Sequence, residues 1–327
     1  MSILIDKPGI LTTVQDLGHT GYRAFGIGPG GAMDRIAVRL TNTLVGNEER
    51  DATLEMHFPA AEILFDLPST FAVGGADLSP ELDGQAIDNW SVYYAERGSR
   101  LRFAAKRSGN RAYLAVGGGL ETDKWLGSSS TNLTACRGGI DGRKIEIGDR
   151  IHLGQFLDNI QPGGAISPSL IPHYRSFPTI RITRGAEYDL LENESRATLE
   201  SGAFKISNES NRMGFRLTGQ ALTLSLPSEM LSSAVCFGTI QLMPDGQMIV
   251  LMADHQTTGG YPRIAHVIEH DLPVIAQLGS GDKVAFHLVT NKDSEALNAQ
   301  FEREMAFFRA GCGMRKVGRQ RLPKIRQ

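Results

Sequence analysis

Apolar residues along this chain come in short runs, broken at close intervals by Gly, Pro and Asp. Such runs lie at 2–5, 70–73, 100–104, 111–116, 150–153, 179–183, 221–226, 248–252 and 283–289. Short strands with turn signals at this spacing predict a mainly β protein built from barrels or sandwiches, not an alternating α/β sheet. Two segments depart from the pattern. Between 34 and 45, Ile36, Leu40 and Leu44 recur at four-residue spacing behind Asp34, a capping residue, and ahead of Gly46, a helix terminator. Between 294 and 310, Leu297, Phe301, Met305 and Phe308 line one face, with Asp293 or Ser294 as cap and Gly311 as stop. Both are predicted helices, and the aromatic stripe of the second is read as packing.

Periodicity is lost over 158–178, DNIQPGGAISPSLIPHYRSFP, where Pro, Gly and Ser cluster. The chain is expected to divide there. An N-terminal β domain would span 1–160 and carry a Gly-rich loop and the helix 34–45. A linker would follow over 161–178, then a C-terminal β domain over 179–290, then a helix and basic tail over 291–327. The two sides echo each other faintly: IGDRIHL (147–153) resembles SGDKVAFHL (280–288), and RGSRLRF (97–103) resembles both. Two similar β domains would produce such turn-and-strand patterns, and so would chance.

Composition narrows the classes. With 327 residues, 41% hydrophobic and 21% charged, the chain is ordinary globular protein with room for two domains. A net charge of -2 gives no bias toward nucleic acid or anionic membrane, so neither is expected as a partner. The basic end, RKVGRQRLPKIRQ from Arg315, is read as a solvated terminus. Cys136, Cys236 and Cys312 lie far apart and form no CxxC or zinc spacing, so no metal site is expected and a reducing cytoplasm fits. Asp6 and Lys7 interrupt what would have to be an apolar signal core, and the strongest apolar run, 248–253, is far short of the ~20 residues of a spanning helix.

The stretch richest in candidate chemistry is 12–47. It gathers Gly18, Gly21, Gly26, Gly28, Gly30 and Gly31 among Gln15, Asp16, His19, Arg23 and Asp34, and then enters the first predicted helix. Glycines where backbone turns sharply or approaches a ligand, mixed with polar side chains, describe a site more readily than a core. A second informative stretch is MPDGQMIVLMADHQTTGGYPRIAHVI (243–268), where a strong strand delivers Asp254, His255, Gln256, Thr257 and Thr258 into a Gly259–Gly260 turn closed by Tyr261 and Pro262. Neighbours on a strand face opposite ways, so Asp254 and His255 are not assumed to touch. In SNESNRMGFRL (207–217), Asn211, Arg212 and Arg216 offer amide and guanidinium donors suited to carboxylate or phosphate, with a plain charged hairpin as the equal alternative. The segment 74–84 is a strand-end turn or a site around Asp77. The Gly- and Ser-rich segment 117–142 lacks a P-loop pattern but leaves open a ligand-touching loop with Ser128, Ser129, Ser130, Thr131, Asn132 and Arg137; Cys136 is read as incidental.

Taken together, TTVQDLGHTGYRAFGIGPGGAMDRIAVRLTNTLVGN, RAYLAVGGGL, LGSSSTNL, SNRMGFRLTG and GTIQLMPDGQMIVLMADHQTTGGYPRIAHVI resemble the allophanate-hydrolase-subunit-2-like family. That group includes the C subunit of 5-oxoprolinase, also called the KipI antagonist, and the matching half of the carboxyltransferase domain of biotin-dependent urea carboxylase. The resemblance runs in order to about Leu288. It implies a cyclophilin-like β-barrel architecture and one part of a heteromeric hydrolase that acts on a cyclic amide, its partners being KipI-like and LamB/YcsF-like subunits. The complex would open 5-oxoproline to glutamate at the expense of ATP, which enters at the level of the complex. Two alternatives stay open: a carboxyltransferase component, for which biotin would be the cofactor, and a regulatory partner that sequesters a KipI-like kinase inhibitor.

Both enzymatic alternatives require an amide or ureido group to be polarised and an oxyanion stabilised. Asp16, Asp34 and Gln256 are the candidate catalytic residues. Gln15, Asn211, Arg212, Arg216, Thr257, Thr258 and Tyr261 are candidates for substrate binding, and the backbone of Gly28, Gly30 and Gly31 for cofactor binding at the start of the helix. Gln15, Asp16 and the backbone of 28–34 are expected to form one wall of a cleft, with 256–258 as the other.

Overall fold

A computed structural model describes residues 2–155, 163–225 and 230–317. The residues group into two compact units. One comprises Met1–Leu17, Arg35–Ile171 and Phe301–Gln327; the other comprises Gly18–Asp34 and Pro172–Gln300. The expected division after 160 lies close to the change of unit at Ile171. The Gly-rich loop, expected in the N-terminal domain, instead groups with the second unit over 18–34.

The first unit holds the strands β1 (Ser2–Lys7), β2 (Thr12–Gln15), β3 (Thr53–His57), β4 (Glu62–Phe65), β5 (Ser69–Asp77), β6 (Pro80–Leu82), β7 (Gln85–Ala86), β8 (Val92–Ala95), β9 (Arg100–Phe103), β10 (Ser108–Val116), β11 (Leu120–Glu121) and β12 (Arg150–Leu153). They form two sheets, ordered β11-β12-β1-β4-β9-β6-β7 and β2-β3-β10-β5-β8. Alternation along the strands turns Ile3, Ile5, Ile63, Phe65 and Leu101 of the first sheet and Leu54, Met56, Phe71, Val73 and Leu114 of the second into one shared core, the packing of a β sandwich. Helix α1 (Arg35–Leu44) lies on β5 and β10. Gly74 admits it: a Cβ there would stand 2.4 Å from Thr41 Cγ2 and 2.6 Å from the Trp90 ring. This gives the segment 74–84 a packing role, followed by a hairpin that turns at Asp83 and Gly84, both at positive φ.

The second unit is the barrel. Its strands are β13 (Thr179–Arg184), β14 (Ala203–Ile206), β15 (Gly214–Thr218), β16 (Ser233–Ala234), β17 (Thr239–Leu242), β18 (Met248–Leu251), β19 (Thr258–Gly259), β20 (Arg263–Val267) and β21 (Lys283–Leu288). Seven of them close in the order β13-β20-β17-β18-β15-β14-β21, while β16 and β19 form a separate two-stranded ribbon. The barrel encloses Ile180, Phe204, Phe215, Ile240, Val250, Ile264 and Phe286, and helices α2 (Asn193–Ser201) and α3 (Leu272–Ala276) add Leu199 and Ile275 to the same core. The expected mainly β fold with a β-barrel is therefore present.

Two expectations need correction. The alternating segment 221–226 is no strand over its described part, 221–225. Leu224 makes only an isolated bridge to Leu191, and the Leu222 amide is taken by the Gly246 carbonyl. The C-terminal helix, α4 (Asn291–Val317), is longer than predicted: Thr290 and Asp293 form a reciprocal cap, with the Thr290 hydroxyl donating to Asp293 at 2.6 Å, and the helix runs through Gly311. Phe301 and Met305 are buried as expected. The basic tail beyond 317 lies outside the described residues.

The echo between the two halves has a local cause. At all three sites a glycine at positive φ (Gly98, Gly148, Gly281) precedes a polar residue, Ser99, Asp149 or Asp282, whose side-chain oxygen accepts an amide three residues upstream. One turn chemistry is used three times to start a strand, in an open sheet twice and in the closed barrel once.

Candidate functional site

The Gly-rich loop and the turn after β18 form one structure within the barrel unit. The His19 amide donates to the Pro29 carbonyl at 2.6 Å, closing the loop on itself. Its returning limb lies directly on the turn: a Cβ on Gly28 would stand 2.6 Å from the His255 carbonyl oxygen, so only a residue without a side chain fits. Three residues on, the Gly31 carbonyl accepts Arg212 Nη2 at 2.5 Å. The same guanidinium forks onto Asp254, Nε to Oδ2 at 2.8 Å and Nη2 to Oδ1 at 3.1 Å. The backbones of the pair join as well, the Asp254 amide donating to the Arg212 carbonyl at 2.8 Å. Arg212 is well shielded, with 11% of its side chain exposed, so this two-toothed, charge-assisted contact is a strong one.

The other end of the turn is held by the ribbon. Ser233 pairs with Gly259 and Ala234 with Thr258, and the Val235 amide donates to the Thr257 carbonyl at 3.2 Å. Arg23 of the loop donates to the Val235 carbonyl. Residues 254–261 are thus fixed at both ends, by Arg212 and by β16, while Gln256, Thr258 and Tyr261 stay exposed between them. This is a rigid frame with outward-facing hydroxyl and amide groups, the kind of support a binding site needs.

The remaining candidates separate by place. Asp34 is fully buried, and its Oδ2 accepts Tyr174 Oη at 2.7 Å and Gln277 Nε2 at 3.0 Å. A carboxylate so enclosed, with two donors on one oxygen, anchors the end of the loop. Gln15 and Asp16 belong to the first unit. Asp16 Oδ1 accepts the Ser128 and Ser130 hydroxyls, each at 2.6 Å, and Oδ2 accepts the Ser129 amide at 2.7 Å. Its lone pairs are engaged, so Asp16 is a clamp on the Ser-rich loop rather than a free base. Gln15 donates to Thr13 Oγ1 and to the Thr131 carbonyl in the same cluster. The loop expected to touch a ligand is therefore used, through Ser128–Thr131, to hold β2 and its continuation.

Arg216 does not join Arg212. It lies on β15 between inward-facing Phe215 and Leu217, points outward, and meets Glu209 at 3.6 Å. Asn211 Oδ1 accepts the Met213 amide at 2.8 Å, which shapes the turn. The group that sequence reasoning left out of the site is Asp254, and with it Tyr174, Gln277 and the Arg23 contact. These pairs are far apart in sequence and leave no local pattern.

The loop is poorly suited to cradle ATP. Gly30 and Gly31 are at positive φ, but the neighbouring cation is already shared between Asp254 and the Gly31 carbonyl. A triphosphate would have to displace that carboxylate, so Gly28, Gly30 and Gly31 do not fit a nucleotide phosphate site. Among the described residues, no group of three or more His, Cys, Asp or Glu is placed to hold a metal ion, and no helix is long and apolar enough to cross a membrane.

Beyond Pro262, Arg263 grips Glu187 through Nε at 3.0 Å and Nη2 at 2.8 Å. These bonds hold the Glu187 carboxyl below its usual range. Burial, with help from the Arg263 charge, pushes the nearby His266 imidazole down, favouring its neutral form.

Comparison with known proteins agrees with this architecture. Residues 25–288 match the family described as "Carboxyltransferase domain, subdomain A and B". The chain is 36% identical to the 5-oxoprolinase C subunit of Escherichia coli over 303 residues, covering 93% of this chain and 96% of that protein. It is 37% identical to the 5-oxoprolinase C subunit of Haemophilus influenzae over 89% of this chain and 92% of that protein. A urea amidolyase of Saccharomyces cerevisiae is 31% identical over 90% of this chain but only 17% of its own length. Among solved structures, the urea amidolyase of K. lactis superposes with a TM-score of 0.86 at 28% identity, over 94% of this chain and 20% of that one.

Proposed function

The chain belongs to the family of the carboxyltransferase domain, subdomains A and B, and from that premise we propose that it is the C subunit of an ATP-dependent 5-oxoprolinase. The observation that carries this reading is the end-to-end match, at 36% and 37% identity, to two proteins that bear that name and are nearly fully covered by this chain. KipI-like and LamB/YcsF-like subunits complete the complex in this proposal. Together they add water across the cyclic amide of 5-oxoproline, breaking the C–N bond and giving glutamate.

In this proposal the residues of 254–261 meet the substrate. Thr257, Thr258 and Gln256 offer hydrogen bonds to the amide, where donors aimed at the developing oxyanion stabilise the transition state. Tyr261 borders the same turn. Arg212 and Asp254 act as positioning residues that fix the turn and the loop. ATP supplies the driving force at the level of the complex, and no step is assigned to it on Gly28–Gly31.

Co-expression with the two partner subunits, followed by an assay of glutamate release from 5-oxoproline with and without ATP, tests the proposal. ATP-dependent release supports it; no product with all three subunits present overturns it. A carboxyltransferase of the urea carboxylase type is the second reading, favoured by the 0.86 TM-score to urea amidolyase. It predicts carboxyl transfer from a biotin-bearing partner to a urea-type acceptor in place of glutamate release.

A further inference from the structure

Behind the ribbon that supports residues 254–261 lies a second constellation, which the proposed function does not use. Cys236 follows β16 and its side chain is exposed. Its Sγ stands 3.2 Å from Thr239 Oγ1 and 3.9 Å from His266 Nδ1, and Thr239 Oγ1 is itself 3.2 Å from His266 Nδ1. Thr239 is fully buried and its oxygen also accepts the Cys236 amide, so the hydroxyl is fixed between thiol and imidazole. Arg263 lies close by, with Nη1 3.3 Å from the Ala234 carbonyl. A thiol with an imidazole acceptor and a bridging hydroxyl beside it has what nucleophilic sulfur chemistry first requires, somewhere for the proton to go.

Cys136 provides a contrast inside the same protein. It too is exposed, but among the described residues its Sγ meets only the Leu133 carbonyl, at 3.6 Å, and no imidazole accompanies it. Exposure alone would make the two thiols equivalent.

We propose that Cys236 is a modification site for low-molecular-weight disulfides, with His266, directly and through Thr239, as its proton acceptor. His266 Nδ1 takes the thiol proton and the thiolate attacks one sulfur of the disulfide. A Cys236–sulfur bond forms as the reagent's own S–S bond breaks, and the departing thiolate keeps the electron pair and picks up the proton that His266 had gained. The disulfide is the sole co-reactant and the exchange is balanced. The adduct would sit one residue from Val235, whose carbonyl accepts Arg23 and whose amide reaches Thr257. The inference stands independently of the 5-oxoproline reading, since its test reads a covalent adduct and not an activity.

The test treats the full-length folded protein with oxidised glutathione, and separately with iodoacetamide, and follows each cysteine-containing peptide by mass spectrometry over time. Cys236 is expected to react at least about a hundred-fold faster than Cys136, the lower end of the gain from a positioned base. His266→Gln is expected to bring the Cys236 rate down to that of Cys136 while leaving the Cys136 rate unchanged. Equal rates at Cys236 and Cys136 in the unaltered protein would overturn the proposal, and so would a Cys236 rate untouched by His266→Gln. If that variant does not fold, the comparison of the two thiols in the unaltered protein decides alone.

Discussion

Arg212 and Asp254, 42 positions apart in sequence, face each other as a two-toothed ion pair, and the same guanidinium reaches the carbonyl of Gly31. One side chain therefore ties together the start of the 254–261 turn and the end of the Gly-rich loop. Replacing it with Lys keeps the charge but removes the fork, which a point charge cannot reproduce. Arg212→Lys is expected to cost about 1–3 kcal/mol of stability, the range for losing a charge-assisted bond at a shielded site, and to lower activity of the reconstituted complex at least ten-fold. Thermal unfolding and the glutamate-release assay check both parts; full activity would remove the pair from the site.

Gly28 offers a test that leaves charge alone. A Cβ there collides with the His255 carbonyl at 2.6 Å, whereas one on Gly21 meets nothing within 4 Å, although Gly21 is at positive φ. Gly21→Ala should cost about 1 kcal/mol in backbone strain and little activity. Gly28→Ala should move the loop off the turn and abolish most activity with the barrel intact. Circular dichroism and the assay, run on both variants side by side, separate loop displacement from general unfolding.

Asp16 is predicted to matter for stability and not for chemistry. Asp16→Asn puts an amide where three donors converge on a carboxylate, leaving at least one of them facing another donor. The expected loss is about 1–3 kcal/mol, with activity per folded molecule retained. Normal stability combined with lost turnover would restore Asp16 to the role of base.

Acid should loosen the barrel unit in two stages. His266 is held below its ordinary 6.5 by burial and by Arg263, so the unfolded chain binds its proton first and stability starts to fall as pH drops below 6.5. Glu187 is held below its ordinary 4.5 by Arg263, so its contribution is complete above 4.5 and is lost as pH falls from there through the lower folded value. Urea midpoints measured across this range should show the first decline vanish in His266→Gln and the second shrink in Glu187→Gln. Unchanged profiles would mean that these groups titrate alike in both states.

How much of this was legible in the sequence depended on the reach of the contact. Strands β1, β10, β12, β13, β18 and β21 were readable because alternation or a continuous apolar run is a local signal. Segment 221–226 carries the same alternation, and nothing local shows that its described part finds no strand partner. Arg216 stands near Arg212 in the motif, yet the period of two set by Phe215 and Leu217 turns it outward. The links Arg212–Asp254, Tyr174–Asp34 and Gln277–Asp34 join residues 42, 140 and 243 positions apart, and no periodicity reports such distances. The residues that define the site were thus visible, but the bonds that decide which act and which only support were not.

The membership of 18–34 in the barrel unit also has a consequence in time. Met33 belongs to the barrel core and Gly28 lies on the His255 turn, yet both leave the ribosome long before β13 begins at Thr179. With about 220 residues still to be made between Met33 and His255, at roughly 5–20 residues per second, this segment waits on the order of tens of seconds for the turn that gives it a shape. During synthesis the nascent loop is an unpaired apolar and glycine-rich tether, so the barrel can reach its final form only by recapturing a piece of chain made before any of its own strands.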